Sequence, residues 1–108
     1  MELKKLKTTK EELKTFNYVC ELYQCESYQI EVVKHEYVDG TSKVHRITAE
    51  SVACESYYPD IWYDYSTDGI EIQTTSFGGL NEREFETFIK QQQEAKKIAE
   101  YLESYFLK

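Results

Sequence analysis

The sequence predicts an α+β domain: an antiparallel sheet of about four strands, with an N-terminal helix and a long C-terminal helix packed on it. Three observations support this fold class. Segments rich in β-branched and aromatic residues are separated by Asp-Gly pairs, which favour tight hairpin turns. The C-terminal quarter shows the spacing of an amphipathic helix. The chain has 108 residues, enough for one hydrophobic core only, so we expect a single domain over residues 1–108.

The first predicted element is a helix near the N-terminus. A threonine is followed three residues later by a glutamate, at Thr8 and Glu11 and again at Thr9 and Glu12, which is the pattern of a capping box. Apolar residues then follow at helical spacing between positions 13 and 23. The same segment also alternates as a strand does, so residues 16–24 stay open between helix and strand; the alternating residues are Phe16, Tyr18, Cys20 and Leu22.

Four strands follow in the prediction. Residues 27–38 and 43–52 form a hairpin around Asp39-Gly40, because this pair readily adopts positive φ. After a break at residues 57–59, residues 60–65 form a third strand and residues 70–77 a fourth, joined at Asp68-Gly69. Gly78-Gly79 ends the sheet by freeing the backbone for a sharp exit.

The last predicted element is a long helix. Asn81 is its N-cap, Glu84 completes a capping box, and the helix begins at about Glu82. About 25 residues give a length of roughly 37 Å, whereas four strands of about seven residues make a sheet only about 20 Å on a side. We therefore expect the helix to extend beyond the sheet, so that its aromatic end packs on the N-terminal helix or on a second subunit. The candidate dimer contacts are Ile98, Tyr101, Leu102, Tyr105 and Phe106.

The charge of the chain is strongly acidic and unevenly distributed. With 13 Lys+Arg against 20 Asp+Glu, the net charge is -7. This balance argues against direct nucleic-acid binding, which needs a basic face, and against docking on anionic lipid. Residues 1–19 carry +2 and residues 87–108 carry +1, so residues 20–86 account for -10. Between positions 47 and 82 there are seven acids and no Lys or Arg.

Cysteine usage and the N-terminal sequence predict a compartment. The three cysteines, Cys20, Cys25 and Cys54, are an odd number without a C-x-x-C pair, which is a poor disulfide framework. The N-terminal segment is basic but lacks the apolar stretch of a signal peptide. The apolar runs are far shorter than the roughly 20 residues of a membrane span. We expect a cytoplasmic protein with reduced thiols.

No catalytic signature is present, so we expect that the chain is not an enzyme. The residue types that zinc prefers are scattered, without the paired spacing of structural sites, at Cys20, Cys25, His35, His45 and Cys54. Gly78-Gly79 precedes a helix but lacks the third glycine and the lysine of a phosphate loop. We therefore expect neither a metal nor a cofactor.

The third and fourth strands suggest a binding surface. Side chains two residues apart share a face of a strand, so Asp60, Trp62 and Asp64 point one way, with Glu71 beside them and Asp68 at the turn. The opposite face then supplies core residues, namely Ile61, Tyr63, Ile70 and Ile72. An exposed tryptophan among carboxylates is typical of a protein-recognition surface. The partner is expected to be basic, such as the nucleic-acid groove of another protein, and the carboxylates would replace phosphates. The alternative is that these acids only solubilise the face and protect the sheet edge.

A resemblance gives this surface a more specific interpretation. Residues 69–86, GIEIQTTSFGGLNEREFE, run as strand, glycine turn and capped helix. The stretch resembles small proteins of phages and integrative elements of Gram-positive bacteria, and the chain is similar in size, acidity and architecture to anti-CRISPR proteins. The resemblance covers the C-terminal third and assigns no residue roles.

The resemblance implies a function with a defined kind of partner. It implies an inhibitor that occludes the nucleic-acid-binding site of a bacterial defence protein, such as a CRISPR nuclease, inside the host cell. Two alternatives remain: a small-ligand or signalling-nucleotide binder with a tyrosine-lined pocket at a dimer seam, and a structural component of a mobile element that assembles through the aromatic end of the helix.

Overall fold

One antiparallel sheet and one helix account for the regular structure of the described residues. The structure is a computed structural model and describes residues 1–53, 57–73 and 78–108. The spatial order of the strands equals their order in the chain, so the sheet is a simple meander. The elements are β1 (Lys4–Glu12), β2 (Phe16–Cys25), β3 (Tyr28–Tyr37), β4 (Ser42–Ser51), β5 (Asp60–Asp64), β6 (Glu71–Gln73) and α1 (Glu82–Phe106).

The predicted fold class is wrong at the N-terminus. Instead of a helix followed by about four strands, a β1–β2 hairpin extends the sheet to six strands in the part of the chain that the structure describes. Thr8 and Thr9 lie inside β1 and do not cap a helix. The physical reason is the burial in β2, where every second residue from Val19 to Cys25 is buried on one face and the residues between them are partly exposed. Burial of every second side chain of β2 against the core favours a strand hairpin, and this tertiary packing outweighs the local Thr-x-x-Glu capping pattern.

The remaining elements lie close to their predicted positions. The turn between β3 and β4 has Gly40 at φ 88°, and the Asp39 carboxylate accepts hydrogen bonds from the Thr41 backbone N–H (2.9 Å) and hydroxyl (2.6 Å). Gly69, at φ 88°, lies between β5 and β6. The structure describes three residues of the fourth predicted strand as β6, and positions 74–77 of that strand lie outside the described residues.

Helix α1 forms as predicted and covers one face of the sheet. Its capping box is present: the Asn81 side chain accepts from the Glu84 N–H at 2.9 Å, and the Glu84 carboxylate accepts from the Asn81 N–H at 3.1 Å. Below the helix, Tyr28 donates a hydrogen bond to the Pro59 carbonyl at 2.6 Å. The core contains Tyr23, Cys25, Tyr28, Ile30, Val32, Ile47, Ala49, Ile61, Ala95, Ile98, Ala99 and Leu102.

The expected excess length of the helix is a further correction. Strands β2, β3 and β4 have ten residues each, so the sheet is about 33 Å long, close to the roughly 37 Å of α1. Ile98 and Leu102 are fully buried within the chain and are not accessible to a second subunit. Tyr101 and Phe106 pack against the same core, whereas Tyr105 is 58% exposed. A dimer contact at this end therefore stays a prediction that chiefly concerns Tyr105.

In the described ranges, α1 lacks the length of apolar sequence that a membrane crossing requires.

Candidate protein-binding face of the sheet

The face of the sheet opposite α1, here called the open face, carries the candidate site. The pairing register aligns one residue from each of five neighbouring strands, and these residues alternate with the core residues that point toward α1. The row across the open face consists of Leu22, Glu31, Thr48, Trp62 and Glu71.

Asp60 and Glu71 lie beside Trp62 on this face, Asp64 follows at the end of β5, and Asp68 lies in the loop between β5 and β6. Ile61 is buried toward α1, so its neighbours Asp60 and Trp62 point the opposite way. Trp62 is partly exposed and pairs with Thr48 on one side and Glu71 on the other. The residues predicted for the opposite face lie where we expect them, because Tyr63, Ile70 and Ile72 pack against the core. We call Asp60, Trp62, Asp64, Asp68 and Glu71 the acidic patch.

The carboxylates of the acidic patch differ in their surroundings. Asp60, Asp68 and Glu71 are exposed, and no ion pair of the described residues includes them. Asp64 has local partners, because its Oδ1 accepts from the Ser66 backbone N–H at 3.0 Å and the Ser66 hydroxyl at 2.7 Å. These hydrogen bonds, with smaller contributions from His45 and Arg46, lower the pKa of Asp64. Asp64 therefore stabilises the turn as well as adding charge, and three carboxylates remain for a partner.

Two further glutamates on the open face were missed by sequence reasoning. Ile47 and Ala49 are buried, so the next residue of β4, Glu50, projects from the open face, and Glu31 lies opposite Thr48. Arg46 Nη2 lies 3.6 Å from Glu31 Oε1, whereas Glu50 is exposed. A shallow groove of about 200 Å³ lies between these glutamates and is also lined by Leu22, Gln29, Thr48, Ser51 and Val52. The alternation within β4 could have revealed Glu50.

A row of stacked rings lies at the other end of the open face. Phe16 stacks on His35 with ring centroids 4.4 Å apart, His35 on His45 at 4.3 Å, and His45 on Tyr65 at 4.6 Å. The β-bulge between β3 and β4 explains the position of His45, because a bulge inserts an extra residue and lets His45 and Arg46 project from the same face. Sequence reasoning treated the histidines separately, since a bulge leaves no clear local signal.

The environment of His35 disfavours its protonation. Burial lowers the pKa of His35, and the adjacent His45 and Lys43 lower it further. Lys43 Nζ also lies 5.2 Å from the centroid of the Tyr65 ring. These surroundings therefore favour the neutral form of His35 within the ring row.

The cysteines and histidines do not converge on one site. In the segments that the structure describes, no group of three or more His, Cys, Asp or Glu side chains is arranged to hold a metal ion. Cys20 projects from the open face and Cys25 is buried on the side of α1. Burial raises the pKa of both thiols. Cys54 lies outside the described residues.

Comparison of the chain with protein-family models, with curated proteins and with solved structures gives no match.

Proposed function

We propose that the chain is a non-enzymatic, protein-binding inhibitor whose acidic patch occludes a basic nucleic-acid-binding surface of another protein. One observation carries the proposal: a partly exposed tryptophan lies among exposed carboxylates on a sheet face that α1 leaves uncovered. Arg46, which lies opposite Asp64 on β4, is paired with Glu31.

The arrangement suits an electrostatically guided interface. Carboxylates from β5, from its turn and from β6 present negative charge on one surface, as a nucleic-acid backbone does. Such a field accelerates association with a basic groove and selects against acidic partners. Trp62 supplies a rigid aromatic anchor at the centre, and a buried aromatic surrounded by a polar rim is the usual source of affinity.

The class of partner follows from the resemblance to anti-CRISPR proteins. The proposed target is a nucleic-acid-binding defence or regulatory protein of a bacterium, such as a CRISPR nuclease, and the proposed place of action is the host cytoplasm. The inhibitor does no chemistry on its target, because occupying the groove is sufficient to exclude nucleic acid.

An affinity capture from bacterial lysate tests this function. We expect the wild-type chain to retain a basic protein at about 0.1 M salt and to lose it near 1 M, where the Debye length falls from about 10 Å to about 3 Å. A neutralised variant removes four charges of the acidic patch and should capture at least about tenfold less of the same protein; its changes are Asp60→Asn, Asp64→Asn, Asp68→Asn and Glu71→Gln.

A matched control separates the patch from the total charge. It removes four exposed carboxylates elsewhere and should bind as the wild type does; its changes are Glu2→Gln, Glu12→Gln, Glu86→Gln and Glu100→Gln. Equal loss in both variants would show a nonspecific charge effect, and undiminished binding by the folded neutralised variant would refute the proposal.

A further inference from the structure

The outer edge of β1 is open to pairing with another strand. β1 lies at one end of the strand order and, among the described residues, pairs with β2 along one side only. All nine of its residues are exposed. The backbone N–H and C=O groups on its other side therefore form an edge onto which an additional strand can be built.

We infer that β1 pairs with β1 of a second copy of this chain, antiparallel, around a two-fold axis at Thr9. Residues opposite each other in an antiparallel pair share a face. The register with β2 places Lys7, Thr9 and Glu11 together on the open face, opposite Leu22, Cys20 and Tyr18. With the axis at Thr9, Lys7 lies opposite the partner's Glu11, and Glu11 lies opposite the partner's Lys7.

Charge complementarity selects this register over its neighbours. An axis at Thr8 would pair only positions 7–9 regularly, because the bulge between Lys5 and Lys7 interrupts the ladder beyond them, and these positions contain no charge pair. An axis at Lys7 or Lys10 would bring two lysines directly together, which is destabilising. With the axis at Thr9, Lys7 of each copy lies opposite Glu11 of the other, which gives two pairs of opposite charge. Between positions 7 and 11, no two like charges lie opposite each other. In the part of the chain that the structure describes, no ion pair includes Lys7 or Glu11.

The lysines and the bulge of β1 restrict which strand can pair with this edge. Lysines on an edge strand discourage indiscriminate pairing, and the bulge between Lys5 and Lys7 limits the length of the ladder. Residues 1–19 carry +2 in a chain of -7, so pairing at this end keeps the strongly acidic segments of two copies apart. The acidic patch on β5 and β6 lies at the opposite end of the sheet. The dimer therefore leaves both patches uncovered and does not depend on the proposed function.

Sedimentation velocity of the full chain over a range of concentrations tests the pairing. The wild type should form dimers as concentration rises. Lys7→Glu or Glu11→Lys alone opposes like charges twice per dimer and should weaken association by about tenfold. The double variant Lys7→Glu/Glu11→Lys restores opposite charges and should return to within about threefold of the wild type.

Lys14→Glu is the control, because Lys14 is exposed between β1 and β2 and the variant makes the same charge change outside the paired segment. It should dimerise as the wild type does. Circular dichroism confirms that each variant retains its fold. A wild type that stays monomeric at all concentrations would overturn the inference, as would a folded double variant that associates no better than the single ones.

Discussion

Truncation of Leu102 is a direct test of how α1 is held to the sheet. Leu102 is fully buried among core residues of the same chain. Leu102→Ala removes its buried methyl groups and leaves a cavity, which costs about 2–5 kcal/mol in comparable cores. For a domain of this size, each kcal/mol lowers Tm by roughly 4 °C or more. We therefore expect the midpoint of thermal unfolding, Tm, to fall by about 8–20 °C.

The assays are thermal and urea unfolding, each followed by tryptophan fluorescence at two protein concentrations. Tyr105→Ala serves as the control, because Tyr105 is 58% exposed and contacts the neighbouring rings of Tyr101 and Phe106, so it should cost less than about 1.5 kcal/mol. A loss below about 1 kcal/mol for Leu102→Ala would refute intrachain packing of this end. A loss that vanishes at high protein concentration would instead indicate burial between subunits.

Three further predictions concern charge, pH and capping. Glu21 lies 2.8 Å from Lys5 and 2.7 Å from Lys34, with its side chain 9% exposed, so Glu21→Gln should cost about 1–3 kcal/mol in urea unfolding. Burial raises the pKa of Glu21, but the two lysines outweigh the effect of burial and hold this pKa below 4.5. The stabilisation from the ion pairs of Glu21 should therefore be lost as the pH falls below 4.5. The variant should lack this stabilisation at any pH. The pKa of His35 lies below its ordinary 6.5, so the unfolded chain binds a proton more readily and Tm should fall as pH drops from about 7.5 through 6.5; a His35→Gln variant with an unchanged slope would contradict this. Asn81→Ala removes the 2.9 Å cap bond and should cost about 1 kcal/mol in thermal unfolding, whereas Asn81→Asp should cost much less.

The part of the fold that the sequence predicts well depends on local signals. Asp39-Gly40 specifies a turn, and Asn81 with Glu84 specifies the start of α1, because each signal acts within a few residues. The β1–β2 hairpin has no such signal. Every side chain of β1 is exposed, so the strand shows no hydrophobic alternation, and its Thr-x-x-Glu patterns imitate a helix start. The partner strand β2 decides the conformation of β1, and that pairing is not visible locally.

The candidate site also combines features that local sequence predicts with features that depend on strand pairing. The position of Trp62 between Asp60 and Asp64 follows from alternation within one strand. The proximity of Glu31 to Arg46 depends on the register between β3 and β4, and the stack of His35 on His45 depends on a bulge in that pairing. Sequence periodicity predicts which face a side chain takes, but it does not predict which residue lies beside it on the next strand.

The most direct test of the acidic patch is displacement of nucleic acid from the captured protein. Fluorescence anisotropy of labelled double-stranded DNA bound to that protein is followed during titration with the wild-type chain, the neutralised variant and the matched control. The proposal predicts that the wild type and the control release the DNA, while the neutralised variant needs at least about tenfold higher concentration. A complex that holds the DNA and the wild-type chain at the same time would contradict the proposal.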